Sequence, residues 1–199
     1  AMKEKDFNAA APMDMTNISI ILDDEFFYSF ENEHDTMHQW AQRVYWTAVE
    51  GMLKTGEPGF SVDIGENAGE HLRNACTEVT SRDDNDICNL GSLNLARIES
   101  KEEMAELTEL ATRFLLCGTL YSKVPYQGVA DTREKNRRLG LGIMGVYEWL
   151  AVRGKPYAAD SELGEWLEEY SRSDIYAKAA AERLGVSVPV KTRAVAPTG

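Results

Sequence analysis

The sequence predicts an α/β fold with a parallel component. Two observations carry that reading: short strand-like runs at 17–22, 60–64 and 87–95, and, between and after them, stretches whose apolar residues recur at steps of three and four. A third observation is negative, since no segment repeats at a fixed period and neither a solenoid nor a propeller is indicated. At 199 residues, 43% of them hydrophobic and 9% aromatic, the chain is long enough to bury a sizeable core. It reads as one domain over 1–199, or as part of a larger one.

The elements follow in order. Residues 1–16 are polar and Ala-rich and read as an entry segment. Asn17-Ile18-Ser19-Ile20-Ile21-Leu22, bounded by Asp23-Asp24, is a buried strand by its composition. From Asp35 to Lys54, positions such as Trp40, Ala41, Val44, Ala48 and Met52 mark one face of a helix. Gly56-Glu57-Pro58-Gly59 breaks it, and Phe60-Ser61-Val62-Asp63-Ile64 alternates as a strand with one apolar face. Residues 65–86 carry neither period and are rich in Asn, Asp, Arg, Glu and Thr. A loop of about twenty residues inside a domain is commonly functional.

Residues 87–95 form the next strand. Ser100 with Glu103 three residues on is a capping box, opening a helix with Met104, Leu107, Leu110, Ala111, Phe114 and Leu115 on its face. Residues 133–138 read as a basic linker and 139–151 as a Gly-punctuated apolar segment. A further helix is expected over 161–184, carrying Leu163, Trp166, Tyr170 and Ile175, and residues 186–196 read as an extended approach to a strand.

Charge narrows the function classes. Lys plus Arg number 21 and Asp plus Glu 33, a formal net charge of −12, which speaks against nucleic acid or an anionic membrane as partner. No apolar run reaches the roughly 18 residues that span a bilayer, and Ala1-Met2-Lys3-Glu4-Lys5 lacks a signal-peptide core. A cytoplasmic chain is therefore expected. Cys76, Cys88 and Cys117, an odd count, suit neither a disulfide framework nor paired zinc knuckles.

Gly140-Leu141-Gly142-Ile143-Met144-Gly145 spells G-x-G-x-x-G, but Glu134–Arg138 before it is not an apolar strand, so a dinucleotide site is not indicated. These glycines read instead as close-packing positions at a helix start. His34 and His38, four apart among acids, read as a solvated helix N-terminus, with no third ligand in view for a metal. His71 has no sequence partner marking it as a base.

Asn74-Ala75-Cys76-Thr77-Glu78 is the informative constellation. In extended backbone, Asn74, Cys76 and Glu78 would present an amide, a thiol and a carboxylate on one side. A carboxylate raises a neighbouring thiol's pKa, which disfavours a thiolate nucleophile and suits a neutral thiol that gives and takes a hydrogen atom. An ordinary polar loop that happens to contain a cysteine is the bland alternative.

Five blocks in order resemble the catalytic large chain of ribonucleotide reductase: Lys54-Thr55-Gly56-Glu57-Pro58-Gly59, Arg73-Asn74-Ala75-Cys76-Thr77-Glu78-Val79, Asp86-Ile87-Cys88-Asn89-Leu90-Gly91-Ser92-Leu93-Asn94-Leu95, Arg137-Arg138-Leu139-Gly140-Leu141-Gly142-Ile143-Met144-Gly145 and Ala196-Pro197-Thr198-Gly199. The resemblance implies part of a ten-stranded α/β barrel, of the ribonucleotide reductase and glycyl radical type, with a finger loop at 65–81. It implies Cys76 as the thiyl radical site. Asn74 and Glu78 would hold the ribose hydroxyls, with Glu78 as base. Cys88 would be one of two reductive cysteines; the family's other one lies upstream, and no cysteine precedes Cys76 here. Cys117 has no matching role and is expected to be a packing residue. Ala196, Pro197, Thr198 and Gly199 resemble the start of the loop that receives the substrate phosphates.

The implied activity is reduction of ribonucleoside di- or triphosphates to 2′-deoxyribonucleotides, with a dithiol such as thioredoxin as reductant. The wording around Cys76 and Cys88 looks most like the adenosylcobalamin-dependent class II, with a radical supplied by a di-iron subunit as the alternative. The chain reads as an internal segment that works with the remaining segments of its subunit. An inactive fragment, or an interaction module that keeps the strands for packing, is the rival reading, and an isolated chain is expected to have no turnover.

Overall fold

Each parallel strand pair in this fold is closed by two helices. The structure, a computed structural model, describes residues 16–65 and 68–198. The expected entry segment therefore lies, but for Thr16, outside the described residues, as do Glu66, Asn67 and Gly199. The chain divides into two units, up to Arg82 and from Asp83 on.

In the first unit β1 (Ser19–Asp23) leads into α1 (Asp24–Glu31) and α2 (His38–Thr55), and then into β2 (Gly59–Asp63). The two strands pair in parallel, Ser19 opposite Gly59 through Asp23 opposite Asp63. Helix α1 was not expected: two turns are too short to show a period, but Asp23 caps it, its Oδ1 accepting from Phe26 N at 2.8 Å. Helix α2 ends at Gly56, whose φ of 79° lets its N–H bond back to Met52 O. Aromatic rings join the helices to the sheet, Phe30 on Tyr45 at 4.9 Å and Tyr45 on Phe60 at 5.9 Å. A two-residue hairpin, β3 (Leu72–Arg73) against β4 (Thr80–Ser81), completes the unit.

The second unit runs β5 (Asn89–Asn94), a 3-10 turn at Leu95–Arg97, α3 (Lys101–Tyr121), α4 (Gln127–Asn136), β6 (Leu139–Met144), α5 (Val146–Val152), α6 (Ser161–Ser171) and α7 (Ser173–Leu184). Strands β5 and β6 pair in parallel over six residues, Asn89 opposite Leu139 through Asn94 opposite Met144. Residues 190–194 lie along the other edge of β6: Leu139 N and Leu141 N donate to Lys191 O and Thr192 O, and Ala194 N to Leu141 O. The expected extended approach is thus a partial third strand.

Four expectations are corrected here. The basic linker is the end of α4 together with its C-cap, Arg137, at φ 41°. Gly140 and Gly142 sit inside strand β6, and only Gly145 precedes a helix. The single helix over 161–184 breaks at Arg172, a phase shift that leaves Ile175 exposed and buries Ala177, Ala180 and Ala181. On α3 the capping box forms, Ser100 Oγ accepting from Glu103 N, but the buried stripe is Met104, Thr108, Thr112, Leu115, Leu116 and Thr119. Leu110 and Phe114 are 64% and 75% exposed. Threonine can enter this stripe because its hydroxyl bonds the carbonyl four residues back, as Thr112 does to Thr108 O and Thr119 to Leu115 O.

The core of this unit packs α3, α6 and α7 over β5 and β6 around Trp149, whose ring meets Trp166 edge-on at 5.4 Å. A buried polar cluster pins the start of the unit to β6. Arg138 Nε lies 2.8 Å from Asp86 Oδ2, the two side chains 5% and 6% exposed, and Asn136 Nδ2 donates to both Asp83 and Asp86. Hydrogen bonds from Lys135 and Asn136 hold the Asp83 carboxyl below its usual pKa. Arg138→Met leaves the Asp86 carboxylate buried without its cation and is expected to cost about 3 kcal/mol in urea unfolding, most of it recovered in Arg138→Met/Asp86→Leu.

Tyr170 donates its hydroxyl to Leu141 O, and burial pushes its pKa up to about 12. The folded chain therefore holds this proton more tightly than the unfolded chain, with its ordinary value of 10.0. That stability is complete below the unfolded value and is lost as pH rises through the folded one. The urea midpoint should fall between about pH 10 and 12, and fall less in Tyr170→Phe.

Candidate active site

The β3–β4 hairpin presents Cys76 at its tip. Arg73 stands opposite Thr80, and the six residues between them fold into a turn rather than continuing extended. Thr77 N donates to Asn74 O at 3.1 Å, Val79 N donates to the Asn74 side-chain oxygen at 3.1 Å, and Thr77 takes the left-handed region at φ 64°. A β-branched residue there carries strain of about 1–3 kcal/mol, so its neighbours must hold it.

They do so from the approach to β1 and from β2. Asn17 Nδ2 donates to Ala75 O at 3.2 Å, and the Thr77 methyl lies 3.3 Å from where a Cβ on Gly59 would stand. Arg73 donates through Nε to Ser61 Oγ and through Nη2 to Val62 O at 2.8 Å.

This turn changes the expected geometry. The alternation of side chains argued for Asn74, Cys76 and Glu78 requires extended backbone, and a turn with a left-handed residue does not alternate. Asn74 spends its side-chain oxygen on the turn itself. Cys76 is exposed, and Glu78 is half-buried with Oε2 buried and without a hydrogen-bond partner among the described residues. The amide and the carboxylate therefore flank the thiol in sequence, but no hydrogen bond described here joins either to it. Leaving a carboxylate oxygen buried without a hydrogen bond is costly, which sets Glu78 Oε2 apart among the described residues.

Cys88 belongs to the other unit. It is half-buried one residue before β5, and the register places it with Leu90 and Ser92 on one face of the β5–β6 pair, with Gly140 and Gly142 opposite. The other face carries Leu93, Leu139 and Leu141, and there Asn89 Nδ2 donates to Thr119 Oγ1 of α3 at 2.9 Å. Ala196–Thr198 arrive on the Cys88 face: Ser92 Oγ lies 3.3 Å from Thr198 Oγ1, and Thr198 N and its hydroxyl both bond Ala196 O. Two of the expected sets, Cys88 and the residues at 196–198, are thus brought to one sheet face. Gly199 lies outside the described residues.

Ser92 was not singled out by the sequence reading, although its place two and four residues after Leu90 and Cys88 was available to a period-two count. Arg73 was not singled out either, and no sequence signal marks it. His71, without a partner in sequence, has Asp63 Oδ2 at 3.9 Å from its Nδ1. His38 bonds the Ser29 carbonyl at 3.0 Å, and among the described residues no group of three His, Cys, Asp or Glu stands where it could hold a metal. Cys117, expected to be packed, is exposed, because it falls on the outer side of α3 with Phe114 and Tyr121.

The family description "Ribonucleotide reductase, barrel domain" matches residues 2–181. The chain belongs to this family. Ribonucleotide reductases similar to it include a Mycobacterium phage D29 protein named an adenosylcobalamin-dependent ribonucleoside-triphosphate reductase, 34% identical over 92% of this chain and 29% of the relative. A Lactobacillus acidophilus adenosylcobalamin-dependent ribonucleoside-triphosphate reductase is 25% identical over 89% of this chain and 30% of its own length. Among solved structures, the class Id ribonucleotide reductase alpha subunit of Actinobacillus ureae shares the fold, with a TM-score of 0.72 at 18% identity, over 92% of this chain and 40% of that one. The chain spans about three-tenths of the length of these curated reductases.

Arg73→Leu removes two bonds made by a charged donor and is expected to free the hairpin from β2. Amide exchange at Thr77 and Val79 should quicken about tenfold or more, read by hydrogen exchange with peptide-level mass spectrometry, with α2 unchanged.

Proposed function

We propose that this chain is the part of a ribonucleotide reductase catalytic subunit that carries the radical cysteine, and that the subunit converts ribonucleoside di- or triphosphates to 2′-deoxyribonucleotides. The observation that supports this most is the exposed Cys76 thiol on a turn braced from the approach to β1 and from β2, in a chain of this family. A thiol that gives up and regains one hydrogen atom must be open to its partners and fixed in place, and both conditions meet at this tip.

In this reading the Cys76 thiyl takes the 3′ hydrogen of the ribose. Glu78 accepts the 3′ hydroxyl proton, a role that suits a carboxylate whose Oε2 is buried and unmatched. The 2′ hydroxyl leaves as water with a proton from a thiol. Cys88 and a second thiol, which neither Cys76 nor Cys117 provides, together give two electrons and two protons and become a disulfide. Cys76 then returns the hydrogen to C3′. The sum is one ribonucleotide and two thiols going to one deoxyribonucleotide, one disulfide and one water. A dithiol of the thioredoxin kind reduces the disulfide for the next turnover. Asn74 Nδ2, its oxygen already used, remains as a donor to a ribose hydroxyl. Residues 196–199 would receive the phosphates beside Ser92.

Adenosylcobalamin, the cofactor in the names of the phage and Lactobacillus relatives, would supply the radical that removes the Cys76 hydrogen. The exposed thiol at the turn fits that group's approach, and Cys76 is the residue of this chain that would meet it.

The test combines this chain with the remaining segments of a reductase subunit, a ribonucleotide and a dithiol. Deoxynucleotide is expected with adenosylcobalamin, and none from Cys76→Ala. Product that needs a di-iron radical subunit instead would replace the radical source and keep the reductase. No product under either condition would favour the inert-fragment or interaction-module reading.

A further inference from the structure

Two glycines lie in the interior of β6 without a backbone reason to be there. Gly140 and Gly142 are not among the glycines with positive φ, so any residue could adopt their conformation. Glycine inside a strand weakens it, and its presence marks a close approach by something else. At Gly140 the approach is by a thiol. A Cβ built there would stand 2.8 Å from Cys88 Sγ, 2.3 Å from Leu90 Cδ2 and 3.2 Å from Ala194 Cβ, where real Cβ atoms keep at least 3.0 Å.

The three neighbours differ in what they can do. Leu90 is on the exposed side of the pair and can turn its side chain outward. Ala194 is buried and held by its N–H bond to Leu141 O. Cys88 has one rotatable bond before its sulfur, so it must leave its rotamer. At Gly142 the contacts are of another kind: a Cβ there would meet Ala194 O at 2.8 Å and Ser92 Oγ at 3.3 Å, and not the thiol.

We propose that Gly140 is a positioning residue for the Cys88 thiol, its absent side chain being the seat over which the sulfur stands. The inference rests on the reading of Cys88 as a reductive cysteine for its functional meaning, but not for its geometry. A disulfide forms only when two sulfurs come within bonding distance in a narrow range of dihedral angle, so a displaced Cys88 sulfur would miss its partner. Gly140 acts through the register that sets it opposite Leu90 and diagonal to Cys88.

The test measures the iodoacetamide alkylation rate of each cysteine in the full chain by peptide mass spectrometry, with exposed Cys76 and Cys117 as internal references. Gly140→Ala is expected to drive the Cys88 sulfur out of its seat and to raise its rate about threefold or more, with Gly142→Ala staying near the parent rate. In Gly140→Ala/Leu90→Ala the tightest contact is relieved, so a parent-like circular dichroism spectrum should accompany the raised Cys88 rate even if the single variant folds poorly. An unchanged Cys88 rate in the folded double variant, or an equal rise in Gly142→Ala, would overturn the proposal. Because alkylation reads the position of the sulfur and not turnover, a failed reductase assay leaves this result standing, and a flat alkylation response leaves the reductase reading standing.

Discussion

The β5–β6 pair turns its helix-facing apolar side chains to one face and sets two glycines on the other, and the rest of the second unit is arranged around that asymmetry. Leu93, Leu139 and Leu141 meet the helices, and Gly91 brings β5 close enough to α3 that a Cβ would stand 3.3 Å from Leu115. The opposite face offers the Cys88 thiol, the Ser92 hydroxyl, the part-exposed Leu90 and the bare backbone of Gly140 and Gly142. Parallel sheets are ordinarily covered on both sides by large apolar residues. Here the thin face leaves room for residues 194–198 to run across it, so hydrophobic burial is concentrated behind the strands and polar chemistry in front of them.

Polar groups are handled differently in two of the places where they are buried. At the start of the second unit, Asp83, Asp86, Asn136 and Arg138 are joined by hydrogen bonds and an ion pair, which fixes where the chain enters β5 relative to β6. At the hairpin the satisfaction is incomplete: Arg73 Nη1 and Glu78 Oε2 are buried and have no hydrogen-bond partner among the described residues. The first arrangement is a joint, and the second leaves a buried carboxylate oxygen without a partner among the described residues.

The sequence revealed the long elements because their physics is local. Strands β1, β2 and β5, helix α2 and the Ser100 cap of α3 follow from period, β-branching and capping, which a single stretch of chain displays by itself. What escaped depends on distant partners. Helix α4 buries only Val129 and Asn136 and so has no apolar stripe to count. The buried side of α3 is marked by threonines that a search for aliphatic residues passes over. Strand β6 resembles a helix start because its glycines answer to Cys88 and Ala194, neighbours that only the register reveals. At the hairpin, the spacing argument for Asn74, Cys76 and Glu78 assumed an extended chain where Thr77 makes a turn.

The two parallel pairs share one plan, strand, two helices, strand: α1 and α2 lie between β1 and β2, and α3 and α4 between β5 and β6. Neither pair can form until a loop of thirty or more residues has closed, whereas the β3–β4 hairpin closes over six. The hairpin's loop is therefore cheap to close, but two residues per strand and a strained Thr77 do not hold it closed alone. Its braces come from Asn17, Ser61 and Val62, so its tip acquires a fixed position only after the first crossover is complete. The cysteine at that tip is near its local partners in the chain, yet it is held still only when β1 and β2 have paired.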